Sequence, residues 1–304
     1  MNAANPLVTI VIVTRNRAHT LRRALRSCMA QSYLPLEILV YDDASADQTP
    51  AVVRSEFPGV HLAVADRRVG LIVLRNRGFR DARGEIVFSL DDDAYFADSG
   101  TVSRTVEDFA GNACAAAVAI PFMEKFGADA GAKPSDGGDM IPGQRVSSYR
   151  GCAHAIRRRV ALAVGGYRDD LVHQGEERDL CIRLREAGYE IIMGSAPPIV
   201  HDFSPTRTPM RMRYYGIRNT LLFDVINIPA PYVWGRFIKD CLGLCFYMRR
   251  NILLRLALVP MAAIIAVFHV GHRKPVSRKT YRAFRGLPGH APRLINTVLP
   301  APLT

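Results

Sequence analysis

Apolar residues along the chain fall into short continuous runs that alternate with helically spaced stretches. Val8-Thr9-Ile10-Val11-Ile12-Val13 is a β-branched run and predicts a central strand buried on both faces. The polar loop Thr14 to Arg17 leads into a segment with Leu21, Ala24, Leu25 and Cys28 on one face, the spacing of an amphipathic helix. A second strand over Glu37 to Tyr41 ends at Asp42-Asp43-Ala44-Ser45, and Asp47 has the position of a cap for a helix over Thr49 to Phe57. A third strand, Val60 to Ala65, is followed by Asp66-Arg67-Arg68-Val69-Gly70 and a helix near Leu71–Ala82. The fourth apolar run, Ile86-Val87-Phe88-Ser89-Leu90, stops abruptly at Asp91-Asp92-Asp93. This β-α alternation predicts an α/β fold with a parallel sheet and helices on both of its faces.

A fifth apolar run covers Ala115 to Ile120. The stretch 121–148 is rich in Gly, Pro and Asp, lacks a period, and is long enough to predict a function or mobility of its own. The pattern resumes with a strand over Tyr149–Ile156, a helix near Arg157–Val164, the turn Gly165-Gly166-Tyr167, a helix near Glu177–Ala187 and a strand over Tyr189 to Met193. From Pro209 the chain reads as helix, interrupted at Pro229-Ala230-Pro231.

Charge divides the 304 residues unevenly. The net +12 is concentrated after Asp202, where sixteen Lys/Arg face only Asp224 and Asp240, while residues 1–202 are close to balance. A near-neutral, enzyme-like part therefore precedes a cationic and apolar one, which points to an anionic surface as a partner. The six cysteines lack CxxC spacing and predict reduced thiols rather than disulfides or a zinc site. The first residues run straight into a strand with no basic n-region, so no signal peptide is expected.

In a parallel sheet the strand ends at 14–17, 42–45, 67–75 and 91–93 share one edge, the edge where open α/β sheets bind ligands. That edge collects Thr14, Asn16, Asp42, Asp43, Arg75 and the three aspartates. Adjacent carboxylates repel, so such a triplet needs a cation or abundant water. An isolated acidic turn is satisfied by water; an acidic turn at this edge suits Mg²⁺ or Mn²⁺ shared with phosphates. A dinucleotide fold is excluded, because the first turn is Thr14-Arg15-Asn16-Arg17 with no GxGxxG, and no GxxxxGK[ST] occurs. The glycine-rich basic loop of a sugar-nucleotide pyrophosphorylase is also missing.

The ordered set Val11 to Arg17, Glu37 to Asp47, Gly70 with Arg75-Asn76-Arg77-Gly78, and Phe88 to Asp93 resembles the family 2 glycosyltransferases of the GT-A fold. Gly165-Gly166-Tyr167 and Gly175-Glu176-Glu177-Arg178-Asp179-Leu180 resemble that family's acceptor-side motif, and the likeness spans roughly residues 7–220. It implies a catalytic domain over 1–208, with a donor half to about 120 and an acceptor half beyond it, and a basic helical region over 209–304. It implies that Thr14, Asn16, Asp42, Asp43, Arg75 and Asp92 hold the donor nucleotide. Asp91 and Asp93 would hold Mn²⁺ or Mg²⁺ against its diphosphate, with Asp93 the more direct ligand. Arg68-Val69-Gly70 departs from the family's usual Asn-x-Gly.

An inverting transfer needs a carboxylate to take the acceptor hydroxyl's proton. Glu177 matches the position where many relatives carry Asp; Glu176 is the competing assignment, and acids at a helix N-terminus also favour the helix itself. His201, after Ile199-Val200, resembles a histidine that some relatives hold near the metal or the phosphates; elsewhere such a histidine is an ordinary packed residue. Tyr214-Tyr215 with Arg218-Asn219 resembles a pattern of sugar transferases and equally fits helix packing.

Ile252 to Val270 is nearly all apolar, with Arg249-Arg250 before it and Arg273-Lys274 after it. A span wants about 20 predominantly apolar residues, so this segment suits a helix lying in an anionic leaflet, with a true span or internal packing as the other outcomes. No zinc finger or RNA-recognition signature supports nucleic acid as the partner. The expectation is a metal-dependent, inverting transferase at the cytoplasmic membrane face. It would carry sugar from a nucleotide-diphosphate donor to a glycan or glycolipid hydroxyl in cell-surface polysaccharide assembly. A polyprenyl-phosphate sugar transferase and a non-catalytic adaptor on a transferase fold are the alternatives.

Overall fold

The computed structural model describes residues 5–125, 131–134, 141–202, 209–247 and 252–289. The first half alternates as the apolar rhythm predicts. Its elements are β1 (Val8–Thr14), α1 (Ala18–Met29), β2 (Leu36–Asp42), α2 (Thr49–Glu56), β3 (His61–Val64), α3 (Leu71–Asp81) and β4 (Ile86–Asp91). Next come β5 (Ala94–Phe96), α4 (Thr101–Gly111), β6 (Ala115–Ala119), β7 (Phe122–Lys125), β8 (Lys133–Pro134) and β9 (His154–Arg157). The remainder is α5 (Arg158–Ala163), α6 (Glu176–Glu186), β10 (Glu190–Met193), β11 (Ile199–Asp202), α7 (Pro209–Asn227), α8 (Tyr232–Tyr247), α9 (Ile252–Phe268) and α10 (Arg278–Arg285).

Seven strands form the main sheet in the order β10-β6-β9-β4-β1-β2-β3. All neighbours are parallel except β9, which runs antiparallel to both β4 and β6. Side chains alternate across this sheet, as the two-residue period of a strand requires. Val11, Leu39 and Val87 enter a core with α3, α6 and α7, while Ile10, Ile12, Val40 and Phe88 enter a second core with α1, α2 and α4. Leu21, Ala24, Leu25 and Cys28 are the buried residues of α1. The antiparallel β9 departs from the parallel sheet expected from the sequence, and two smaller details also differ. Tyr149 to Ala153 form a turn rather than strand, closed by Ala153 N–H donating to Arg150 O, so β9 starts only at His154. Asp47 Oδ1 accepts from Thr49 N–H at 2.9 Å from one residue outside the cap position, which Gln48 occupies.

A smaller sheet, β5-β11-β7-β8, stands beside the strand ends. Its β5–β11 pairing sets His201 opposite Ala94, next in chain to the aspartate triplet. Part of 121–148, the 203–208 segment where the expected domain boundary falls, and Arg249-Arg250 lie outside the described residues. Beyond them α7 is built onto the main core: Ile217, Leu221, Leu222, Val225 and Ile226 are buried there, joined by Val259, Ala262 and Ala266 of α9. Among the described residues no helix is long and apolar enough to cross a membrane.

Candidate active site

The parallel register sets one wall of the site. Thr14 pairs with Asp42, and Val13 with Asp91, so three strands stop on one line. Asn16 has φ 53°, a left-handed conformation that asparagine tolerates. Its N–H donates to Ser45 Oγ and its Oδ1 accepts from Ala46 N–H, both at 2.8 Å, tying the β1 loop to the β2 loop. Asp42 Oδ1 accepts from Ser45 N–H at 2.7 Å, leaving Asp42 Oδ2 buried and without a hydrogen-bond partner. Asp43 Oδ1 accepts from the N–H of Val69 at 2.6 Å and of Gly70 at 3.1 Å. Arg68-Val69-Gly70 is therefore fastened by its backbone, which does not depend on an asparagine side chain there.

The three adjacent aspartates turn to three different partners, which offsets their mutual repulsion without removing it. Asp91 Oδ1 accepts from Arg75 Nη2 at 2.6 Å, Asp92 Oδ2 accepts from Thr14 Oγ1 at 2.8 Å, and Asp93 Oδ2 accepts from Arg17 Nη1 at 3.2 Å. Asp93 Oδ1 also lies 3.2 Å from His201 Nε2, and Asp93 O accepts from Asp202 N–H. Burial, with the Asp93 charge next, pushes the Asp92 carboxyl up to about 7.

On the opposite wall, α6 starts at Gly175, whose φ of +83° a side chain would strain. Asn219 of α7 holds the approach to it, because its Nδ2 donates to the carbonyls of Leu171, His173 and Gln174 at 2.6–2.9 Å. The Tyr-Tyr-x-x-Arg-Asn pattern is thus more than packing: its asparagine shapes the turn that presents Glu176 and Glu177. Glu176 is enclosed, with Oε1 accepting from Arg75 Nη1 at 3.2 Å and Oε2 lacking a hydrogen-bond partner. Burial, then the Glu177 charge, raises the Glu176 carboxyl to about 8. Glu177 is partly open to solvent, and burial of its carboxyl, only partly offset by Arg75, raises it as well.

Arg75 joins the two walls. Its buried guanidinium donates to Asp91, Glu176 and Gly151 O. Burial opposes its charge, but Asp91 and Glu176 outweigh burial and hold it protonated. Gly151 lies close beneath both side chains, and a Cβ there would sit 2.5 Å from Glu177 Oε1 and 3.0 Å from Arg75 Nη1 and displace the Glu177 carboxylate. The sequence places Arg75 on this edge but cannot show that it faces carboxylates rather than an open nucleotide surface. Cys152 was missed altogether: Asp91, Cys152 and His201 each offer one ligand atom within 4.8 Å of the others. It follows from the antiparallel β4–β9 register, in which Ser89 opposite His154 sets Asp91 level with Cys152, and no signal in the sequence gives that register. Carboxylate and imidazole donors at this spacing, with Asp93 alongside, fit a divalent cation.

The architecture is a mostly parallel α/β sheet with an acidic strand-end edge, a carboxylate pair facing it and a flanking small sheet. Residues 9–163 match Glycosyl transferase family 2, and the chain belongs to that family. The succinoglycan biosynthesis protein ExoO of Rhizobium meliloti is 43% identical over 89 residues, 29% of this chain and 26% of that one. The chain thus spans about a quarter of this relative. The glucosyl-dolichyl phosphate glucuronosyltransferase of Haloferax volcanii is 26% identical over 86% of this chain and 91% of its own length. Among solved structures, the mannosyltransferase PcManGT of Pyrobaculum calidifontis, in complex with GDP-Man and Mn²⁺, aligns over 92% of this chain and 79% of its own. Its TM-score is 0.56 at 20% identity, a likeness that establishes the GT-A fold.

Proposed function

We propose that the chain is an inverting, divalent-cation-dependent glycosyltransferase that moves a sugar from a nucleotide-diphosphate donor to a hydroxyl of a glycan or glycolipid. The observation that carries this reading is Arg75, one buried guanidinium that binds a donor-side aspartate and an acceptor-side glutamate together. Thr14, Asp42 and Asp43 line the nucleotide end, and the unused Asp42 Oδ2 is an acceptor available to a donor group of the ligand. Asp91, Asp93 and His201 would hold Mn²⁺ or Mg²⁺, which when bound stabilises negative charge on the departing diphosphate. Glu177, the more open of the two glutamates, takes the acceptor hydroxyl's proton. The acceptor oxygen bonds to the anomeric carbon as the bond to diphosphate breaks, with inversion at that carbon.

The raised carboxyl of Glu177 favours an alcohol acceptor over a lipid phosphate. A phosphate is ionised at neutral pH and has little need of a base. A relative named for transfer to glucosyl-dolichyl phosphate supports a lipid-linked sugar as acceptor. The test is a calorimetric screen of GDP-, UDP- and dTDP-sugars with and without Mn²⁺, followed by slow donor hydrolysis. One nucleotide sugar is expected to bind only with the metal; binding of none of them would overturn the reading.

We further propose that α8 and α9 rest on an anionic bilayer. Trp234, Ile238 and Leu242 are exposed at four-residue spacing on α8, and Met261, Ile264, Val267 and Phe268 are exposed on α9. Lys239 within α8 and Lys274, six residues after α9 ends, are exposed as well. Apolar contact plus basic flanks is the composition of an interfacial helix pair. Trp234 is the chain's single tryptophan, so its fluorescence should shift to the blue on vesicles containing phosphatidylglycerol. Paired Ile238→Asp and Ile264→Asp changes are expected to cut vesicle retention at least about fivefold. Retention equal to wild type would remove the membrane from this account.

A further inference from the structure

The thiol beside the aspartates has no part in the proposed transfer. Cys152 is buried in the turn before β9, and that turn is held on both sides. Ala153 N–H donates to Arg150 O, Gly151 O accepts from Arg75 Nη2, and Ile120 N–H donates to Ala153 O. His201 is fixed between β5 and β7, and Asp91 ends β4. Three rigid pieces of backbone therefore bring an oxygen, a nitrogen and a sulfur within 4.8 Å of one another. Around an ion with bonds near 2.2 Å, tetrahedral ligands stand about 3.6 Å apart, so small side-chain rotations close this set.

We propose that Asp91, Cys152 and His201 form a site for a thiophilic divalent cation, Zn²⁺ or Cd²⁺, with Cys152 Sγ as an inner ligand. The inference rests on the proposed metal region but not on sugar transfer. Hard Mg²⁺ and Mn²⁺ take oxygens and leave a thiol aside, whereas soft cations select thiolate and imidazole. As the sulfur–metal bond forms, the thiol proton passes to solvent. An ion drawn onto Cys152 fills its coordination with protein atoms, leaving fewer positions for diphosphate oxygens. Thiophilic cations therefore inhibit at the same centre that hard cations activate.

The test titrates the full chain with Cd²⁺ in a non-thiol reductant and follows the sulfur-to-cadmium absorption. Wild type is expected to gain a band that Cys152→Ser lacks, and the Cd²⁺:Mn²⁺ affinity ratio should fall at least about tenfold in that variant. His201→Asn should weaken Cd²⁺ binding by a similar factor. On unaltered protein, Zn²⁺ should slow methylthiolation of Cys152, read by mass spectrometry, at least about fivefold relative to Mg²⁺. A band that survives in Cys152→Ser, or equal labelling with Zn²⁺ and Mg²⁺, overturns the site. A Cys152-dependent band without any Mn²⁺ binding overturns the hard-cation reading and leaves this one standing.

Discussion

Asp93→Ala is expected to lower transfer on the order of a thousandfold and to abolish metal-dependent donor binding, a loss of about 4 kcal/mol at the transition state. Asp93 is 2% exposed and faces both Arg17 and His201. Its removal takes away a negative charge from the point where two cationic or metal-binding side chains meet. The remaining Asp91 has one oxygen paired with Arg75, so it would hold the ion with too few carboxylate oxygens on its own. Asp93→Asn keeps the shape and isolates the charge; it should lose donor binding to the same degree. The measurement is Mn²⁺-dependent nucleotide-sugar calorimetry beside a transfer assay, and full turnover by Asp93→Ala would sink the assignment.

Much of this site was legible because parallel strands end on a common line. Thr14 beside Asp42, and Val13 beside Asp91, follow from the apolar run lengths once the sheet is read as parallel. The face of α1 was legible for a similar reason, since Leu21, Ala24, Leu25 and Cys28 repeat at helical spacing. The small second sheet was not. Its strands have two to four residues, too few for any period, and β11 joins β5 and β7 across about 75 to 105 residues of chain. The reversed direction of β9 was also hidden, because an apolar run does not reveal the sense in which it inserts. That reversal brings Cys152 level with Asp91 and puts Gly151 beneath Glu177 and Arg75. Which carboxylate faces which cation is a long-range packing outcome, as in Arg75 with Glu176, 101 residues apart.

Arg75 also explains why two glutamates in sequence need not share a role. Glu176 is enclosed and ion-paired, so a change there acts through the guanidinium and, beyond it, through Asp91. Glu177 sits against Gly151 with a partly open side chain and makes no ion pair among the described residues. A base must reach a hydroxyl arriving from solvent, which Glu177 is placed to do. The enclosed carboxyl of Glu176 instead positions the guanidinium that joins the two walls.

Glu177→Gln is expected to lower kcat by about a hundredfold to ten-thousandfold while metal-dependent donor binding stays within about threefold. The amide keeps the size of the side chain, but its oxygen is far too weakly basic to take the acceptor's proton and its nitrogen donates where the carboxylate accepted. The pH profile supplies the second readout. A base works only when ionised, and both glutamates are held above the ordinary carboxylate range, Glu176 at about 8. Transfer should therefore still be rising above the ordinary carboxylate range rather than level off near pH 5, and the rise should flatten in Glu177→Gln. Glu176→Gln is expected to weaken donor binding and turnover together, because it acts through Arg75 and Asp91. Undiminished turnover by Glu177→Gln, with Glu176→Gln losing the pH-dependent limb instead, would transfer the base to the enclosed residue. The partly open side chain of Glu177 and the ion pair of Glu176 argue for the first outcome.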